Sequence, residues 1–389
     1  MRKISADYIF PVSSAPIKNG IVVIDDAGQI LDVFHPEAGI SFSEVERHEG
    51  IICPGFINTH CHLELSHLHG KLDKQKGLDE FIKGIETIRK STEDEIHQAI
   101  IKAEEEMIAN GIVAVGDISN VDYTFKQKSK GHLNYYTFIE VLGFHPDRAE
   151  RAFAEGLQLY NQLQHPGSIV PHAPYSASEK LLKKINDFAY EHNSILTIHN
   201  QESEEEDKLF KHKKGKILKR LEYFGIDTST WKHSGFSSLQ STLIHLPKCN
   251  KIQLVHNTFT SKEDIEWAHN YSKLICWCFC PNANLYIENS LPCFQQFIDA
   301  NAKITIGTDS LASNWNLSIL EELKTIARHT PQLSLQQLLT WATKNGAEFF
   351  GYNKLGTIEK GKNPRLNLIQ HLDIENITLT EKSSVKKLA

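Results

Sequence analysis

The residues best suited to chemistry stand at the ends of apolar runs. The run at residues 51–58 leads into His60 and His62 within PGFINTHCHLE. Residues two apart in an extended segment point to the same side, so both imidazoles can face one metal ion. Three further polar residues close similar runs: His199 after SILTI, His256 after IQLV and Asp309 after ITIGT. Taken singly, each reads as a buried core residue; taken together, four strand ends presenting His, His, His and Asp argue against that reading. The chain holds its own control in a second HxH pair, His67 and His69, which follows no strand-like run and sits against Gly70. That pair reads as loop histidine. Imidazole and carboxylate ligands suit zinc, iron or another first-row divalent ion better than magnesium or calcium. Water in an open coordination position of such an ion loses its proton near neutral pH and becomes a nucleophile. The reaction class expected is hydrolysis.

Such residues need a frame that brings several strand ends to one face. Along the middle of the chain, short apolar runs alternate with longer polar-periodic stretches, the pattern of βα units. Strands are expected at residues 51–58, 112–117, 135–142, 169–171, 195–199, 251–256, 274–280 and 303–307. Eight is the strand count of a (β/α)8 barrel, whose strand carboxyl ends open on one face where active sites sit. Helices are expected over 92–110, opened by acidic residues and closed by Asn110 and Gly111, and over 334–350 behind a serine N-cap. The first fifty residues, and the stretch from Gly356 to Ile369, read instead as turn-bounded strands. The expected fold class is therefore α/β: a (β/α)8 TIM barrel over residues 53–355, with a small β-sandwich built from segments 1–52 and 356–389. The stretch ESEEEDKLFKHKKGKILKR, residues 202–220, passes from acidic to basic. That order complements a helix dipole, and Glu204 with Lys208 and Asp207 with Lys211 stand at i,i+4 spacing. It reads as a solvated helix rather than a binding segment.

The 389 residues carry 42 Lys+Arg against 48 Asp+Glu, a formal charge of -6. That is the wrong sign for nonspecific adhesion to nucleic acid or anionic membrane, and a small-molecule substrate is the expected partner. No apolar run approaches the roughly 18 to 20 residues needed to span a bilayer, and the opening residues lack the apolar core of a secretory signal. The seven cysteines are odd in number with no CxxC pair, which suits reduced thiols and a cytoplasmic location. Cys276, Cys278 and Cys280 alternate along one strand and read as small buried hydrophobes. A homodimer is the default oligomeric expectation.

The segments PGFINTHCHL, PHAPYSAS, HNQES, LVHNTF, CPNAN, GTDSLASN and, more loosely, ATKNGAEFFGYNKLGTIEKGK follow one another in this order. In them the chain resembles the amidohydrolase superfamily, in its branch of cytosine, guanine and adenosine-type deaminases and triazine hydrolases. HLELS and HNQES look most like the aminodeoxyfutalosine deaminase subgroup. The resemblance runs over about residues 21–369. It implies a single divalent metal, Zn²⁺ first and Fe²⁺ second, held by His60, His62, His199 and Asp309, with His256 as a further ligand or as the partner of bound water. Members with two metals carry a carboxylated lysine at the end of strand four; that position here reads IVPH, ending at His172, which implies a mononuclear site. Glu202, in the HxxE spacing of the deaminase branch, is implied to protonate a ring nitrogen as hydroxide attacks the adjacent carbon. Asp309 is implied to pass the proton of the attacking water to the leaving amine, while the metal and His256 stabilise the developing charge. His172 resembles a position that contacts the substrate ring. His62 and Glu64 also spell the first half of an unrelated H-x-E deaminase site whose P-C-x-x-C half is absent; Glu64 is expected in the substrate pocket. Asn284 and Asn314 match loop asparagines and read as loop structure. The loop CPNAN departs from the commoner CPxSN, and Asn363-Pro364-Arg365 replaces the family's acidic Ala-Asp pair. The implied activity is hydrolytic deamination of an aminated purine-like base or nucleoside, aminodeoxyfutalosine-like compounds included. The competing readings are hydrolysis of another leaving group on the same centre and a non-catalytic nucleoside-binding barrel.

Overall fold

Alternating apolar residues at the two ends of the chain build one unit, and continuous apolar runs between them build another. The computed structural model describes residues 1–36, 45–88 and 91–389. Its first strands are β1 (Arg2–Ser5), β2 (Tyr8–Ile9), β3 (Ile17–Lys18), β4 (Ile21–Ile24), β5 (Ile30–Phe34), β6 (Val45–Arg47) and β7 (Ile51–Pro54). Then follow β8 (Phe56–Cys61), β9 (Ile112–Ser119), β10 (Asn134–Val141), β11 (Gly167–Pro171), β12 (Leu196–Asn200), β13 (Ile252–His256), β14 (Ile275–Phe279) and β15 (Ile304–Ile306). Last come β16 (Leu366–Gln370) and β17 (Ser384–Lys387).

One sheet has the order β5-β4-β1-β6 and a second the order β17-β16-β7-β2-β3. Ile4, Val22, Ile24 and Ile30 of the first meet Ile9, Ile52, Leu366 and Leu368 of the second in one apolar cluster. The antiparallel pairing of β7 with β16 sets Ile52 opposite Leu368 and joins the two ends of the chain.

Strands β8 to β11 form a parallel sheet in which sequence neighbours are spatial neighbours, and β12 to β15 form another. Hydrogen bonds cross both seams between them. The His199 amide donates to the His172 carbonyl at 3.0 Å, and the Thr308 and Asp309 amides donate to the His60 carbonyl at 3.1 Å each. Gly307 permits the second of these approaches, because a Cβ there would lie 2.8 Å from His60 Cβ and 2.9 Å from its carbonyl oxygen. Between the sheets, Gln253 reaches the Thr59 carbonyl at 2.9 Å, and Thr59 and Thr305 hydroxyls bond at 3.0 Å. Cys276, Cys278 and Cys280 are buried free thiols, the first two beside this polar group. No helix among the described residues is long and apolar enough to cross a membrane.

Seven expected strands stand within two residues of the observed ones. The run at 51–58 does not form one strand: β7 joins the terminal sheet, β8 joins the parallel sheet, and Gly55 between them donates to the Pro364 and Arg365 carbonyls. The helix expected from Thr92 is Glu93–Ala109, with a capping box between Thr92 and Glu95. The helix expected over 334–350 keeps its Ser334 cap but breaks at Thr343, whose hydroxyl bonds the Leu339 carbonyl at 2.6 Å. The single solvated helix expected over 202–220 is also corrected. It is two helices, Glu204–His212 and Lys216–Tyr223, divided where Lys213 (φ 47°) and Gly215 (φ 108°) turn left-handed. Glu204–Lys208 and Asp207–Lys211 do pair, at 3.6 and 2.6 Å, yet Glu206, Leu209, Phe210, Ile217 and Leu221 are buried.

Gly55 is the hinge on which both units depend. A Cβ there would fall 2.3 Å from Val113 Cγ1 and 2.9 Å from the Pro364 carbonyl oxygen. Gly55→Ala is expected to cost about 1–3 kcal/mol through overpacking, read as a lower urea midpoint with an unchanged m-value. A midpoint equal to that of the parent protein would show that the junction relaxes freely.

Candidate metal centre and substrate pocket

Side-chain alternation in β8 turns His60 and His62 to one side, and the seams carry His199 and Asp309 toward them. His62 Nε2 lies 3.2 Å from His60 Nε2 and 3.2 Å from His199 Nε2. Asp309 Oδ1 lies 3.5 Å from His60 Nε2 and 3.4 Å from His62 Nε2. His256 joins His60 and Asp309 in a second group whose ligand atoms all lie within 4.8 Å of one another. All five are buried. Donors bound about 2.0–2.1 Å from a tetrahedral ion stand roughly 3.3 Å apart, so the spacing and chemistry of these atoms fit one first-row divalent cation. No lysine stands at the end of β11, where His172 follows Pro171.

The strand ends reach this arrangement through unusual backbone. His256 (φ 71°), Asn257 (φ 57°) and Asp309 (φ 57°) are left-handed, a conformation costly for most side chains but accessible to His, Asn and Asp. Neighbours then fix three of the side chains. His199 Nδ1 donates to the His172 carbonyl at 2.7 Å, which leaves Nε2 as the lone pair facing His62. Asn284 does the same for His256: its Oδ1 accepts from Nδ1 at 2.8 Å while its Nδ2 faces the His256 carbonyl. Ser313 donates to Asp309 Oδ2 at 2.6 Å. Asn314, read as loop structure, holds that loop through the Thr308 carbonyl and the buried Glu322 carboxyl. Asn284, read the same way, instead orients a residue of the cluster.

Protonation follows from burial and neighbours. Burial pushes His62 down to about 3, against the pull of Asp309, and lowers His199 and His256 as well. Burial by itself would raise Asp309, but hydrogen bonding from His60 and the surrounding imidazoles hold it well below the usual carboxylate range. Neutral imidazoles around an ionised carboxylate are the states in which these groups bind cations. Glu202 goes the other way: burial, then repulsion from Asp309 and Glu288, holds its carboxyl well above the usual range.

Above the cluster opens a pocket of about 640 Å³, and His62, His172, His199, Glu202, His256 and Asp309 line its floor. Glu202 Oε1 stands 3.7 Å from His256 Nε2. The backbone amides of Gln201 and Glu202 are held by Glu206 at 3.1 and 2.8 Å, so the buried carboxyl of that helix fixes the turn carrying Glu202. His172 is half-buried, with Nδ1 on Ser176 Oγ at 2.9 Å and its ring centroid 4.8 Å from that of His199. Glu64 does not line the pocket. Its carboxylate accepts from the backbone amides of Asn120 and Val121, a task set by the 3-10 turn Leu63–Leu68 that follows His62. His67, expected in a loop, lies buried in the same turn with Nδ1 on the Glu64 carbonyl at 3.1 Å. The segment 202–220, set aside as surface, contributes Glu205, Ile217, Arg220 and Leu221 to the pocket wall.

Three residues of the site carried no sequence signal of their own. Asp117, at the end of β9, accepts from the Leu63 amide at 2.8 Å and pairs with the fully buried Lys128 at 2.5 Å, anchoring the backbone just after His62. Glu140 and Asn120 line the pocket beside His172. Both acids stand near the carboxyl ends of apolar strands, which is the pattern that could have marked them.

Comparison with known proteins bears on the family and the fold. The chain is 26% identical over 370 residues to the 5-methylthioadenosine/S-adenosylhomocysteine deaminase of Bacillus cereus (strain AH187), a match covering 89% of this chain and 79% of that protein. Among solved structures, the aminofutalosine deaminase of Helicobacter pylori in complex with methylthio-coformycin superimposes with a TM-score of 0.81 at 21% identity, over 96% of this chain and 93% of that one. The zinc complex of atrazine chlorohydrolase from Arthrobacter aurescens TC1 gives a TM-score of 0.75 at 18% identity, over 94% and 86%. These two likenesses speak for the fold. Residues 51–388 match the Amidohydrolase family, and the chain belongs to it.

Proposed function

We propose that the chain is a metal-dependent hydrolytic deaminase of an aminated purine-like base or nucleoside. The observation that carries this reading is a buried acid beside a cluster of candidate metal ligands: Glu202, 3.7 Å from His256 and lining the same pocket, with burial holding its carboxyl well above the usual range. An amino-bearing ring carbon becomes electrophilic when the adjacent ring nitrogen takes a proton, and a carboxyl held neutral by burial supplies one. The deaminase relative from Bacillus cereus and the aminofutalosine deaminase likeness support the same chemistry.

In this reading His60, His62, His199 and Asp309 hold one divalent ion, Zn²⁺ by preference and Fe²⁺ as the alternative, with His256 as a ligand or acceptor through its bare Nε2. When bound, such an ion lowers the pKa of water toward neutrality and supplies the nucleophile. Asp309 accepts the water proton and returns it to the departing amine. Glu202 protonates the ring nitrogen and takes back the remaining proton of the added hydroxyl as ammonia leaves, and His172 contacts the ring. The cross-seam hydrogen bonds support closure of the two parallel sheets into a (β/α)8 barrel over residues 53–355. The shared apolar cluster of the terminal sheets supports a small β-sandwich from 1–52 and 356–389. A cytoplasmic location, a small-molecule substrate and a homodimer complete the reading.

Two variants separate the roles. Zinc-loaded protein is expected to carry about one equivalent of metal, and His60→Ala to lose it, as measured by elemental analysis. Retention of a full equivalent in that variant would remove His60 from the ligand set. Glu202→Gln is expected to keep its metal and lose roughly 10²- to 10⁴-fold in kcat; an unchanged rate refutes the proton-donor role. Ammonia release should appear in a screen of aminodeoxyfutalosine, adenosine-type compounds and guanine. Turnover of chlorinated or N-acyl compounds, with no ammonia from any aminated ring, would replace the deaminase reading with hydrolysis of another leaving group.

A further inference from the structure

Glu322 stands on the helix Ile319–His329 and does not line the pocket, yet its side chain is fully buried. Each carboxyl oxygen accepts one hydrogen bond. Oε2 takes the backbone amide of Asn282 at 2.8 Å, and Oε1 takes Asn314 Nδ2 at 2.8 Å. Burial pushes the carboxyl up to about 8, against the hydrogen bonds from Asn282 and Asn314 and with repulsion from Asp309 added. Those bonds offset only part of what burying the acid costs, so packing alone does not account for a glutamate here.

The two donors belong to different loops, and each loop serves one residue of the candidate metal centre. Asn282 is the second residue of the short helix Pro281–Ile287 after β14, and a helix start leaves such an amide without an intrahelical partner. Two residues on, Asn284 accepts from His256 Nδ1 at 2.8 Å. Asn314 Nδ2 also donates to the Thr308 carbonyl at 2.7 Å, and Asp309 follows Thr308. One carboxyl thus ties the turn that orients His256 to the loop that carries Asp309. Thr325, one turn further along the same helix, donates to Asn282 Oδ1 at 2.6 Å and grips that turn a second time. His256 ends β13 and Asp309 follows β15; both strands pair with β14 and not with each other, so no ladder bond sets the separation of the two residues. Asn58 and Ser313 hold Thr308 and Asp309 from β8 and from within the loop; Glu322 adds the tie toward His256. Left-handed backbone at His256 (φ 71°) and Asp309 (φ 57°) persists only where the surroundings hold it.

We propose that Glu322 is a positioning residue of the metal centre: by tying the turn after β14 to the loop after β15, it sets His256 and Asp309 at the separation at which both can act on one cation. The inference rests on the ligand set proposed above and adds a residue outside the pocket that governs its geometry.

The test measures zinc affinity by chelator competition, and the visible spectrum of cobalt-loaded protein, for the parent, Glu322→Gln, Asn314→Ala and the double variant. The glutamine keeps one oxygen and turns an NH2 toward the other donor; the alanine variant keeps the carboxyl and its bond to Asn282. Glu322→Gln is expected to raise the zinc dissociation constant roughly 10- to 100-fold and to alter the cobalt bands, which report ligand geometry. Asn314→Ala is expected to change both in the same direction. The double variant is expected to exceed Glu322→Gln by no more than about threefold, because both substitutions break one tie. A lower urea midpoint with the parent's affinity and spectrum in both single variants would overturn the proposal in favour of a purely structural role. A change in Glu322→Gln alone, with Asn314→Ala equal to the parent, would overturn it in favour of the carboxyl's electrostatic effect at a distance. Fully additive losses would overturn it in favour of two separate effects. If Glu322→Gln does not fold, Asn314→Ala decides: altered affinity and spectrum support the proposal, and the parent's values overturn it. A parent protein that binds neither zinc nor cobalt would overturn the ligand set and the proposal together.

Discussion

Three buried imidazole nitrogens, with those of His60 and His199 each 3.2 Å from that of His62, form the arrangement on which the rest of the site depends. Each is a lone pair or a proton directed at its neighbours, in surroundings that disfavour charge on His62 and His199. Lone pairs in such contact repel, and protons on all of them would repel more. A single shared cation removes both problems at once, because every nitrogen can direct its lone pair inward while Asp309 supplies negative charge. The free energy of metal binding is then part of the free energy of folding.

Holding such groups together without the ion requires that the surrounding frame determine their positions. The frame does so by tying each residue through its backbone or its outer nitrogen. The His60 carbonyl receives two amides across one seam, and the His199 amide and Nδ1 both reach the His172 carbonyl across the other. Asp117 holds the Leu63 amide, Asn284 holds His256, and Ser313 holds Asp309. The same contacts that close the seams thus aim the ligands, which couples the integrity of the parallel sheets to the geometry of the site. Left-handed backbone at His256 and Asp309 is tolerable only because these neighbours over-determine it.

The residues of the cluster were legible in the sequence because each ends an apolar run, and period-two alternation placed His60 beside His62. The strands were legible for the same reason. What escaped notice depends on contacts between segments distant in sequence. Nothing local distinguishes Asn284 from any other helix or loop asparagine; its role comes from a strand 28 residues earlier, where His256 ends. Residues 202–220 have the charge order of a surface helix, yet Lys213 and Gly215 fold the segment back so that its apolar face covers the pocket. Hydropathy reports that such a face exists and not what it covers. Glu64 erred in the opposite direction: its spacing suggested the pocket, but the turn after His62 sends its carboxylate to backbone amides. Gly55 divides a run that periodicity alone reads as continuous, since only the close approach of Val113 and Pro364 demands a residue without Cβ.

The carboxyl groups around the pocket then divide by environment. Asp309 receives a hydroxyl from Ser313 and stands among imidazoles, so it is ionised. Burial first, then repulsion from Asp309 and Glu288, raises Glu202 well above the usual carboxylate range. Glu140 lies between them, with burial raising it to about 7 against the pull of the Asn120 amide. One acid poised to give a proton and another poised to take one, within a single pocket, is what allows both halves of a proton transfer at one pH. The proposed ligand set and the proposed acid are linked in this way: after burial, the charge of Asp309 is what raises Glu202 most.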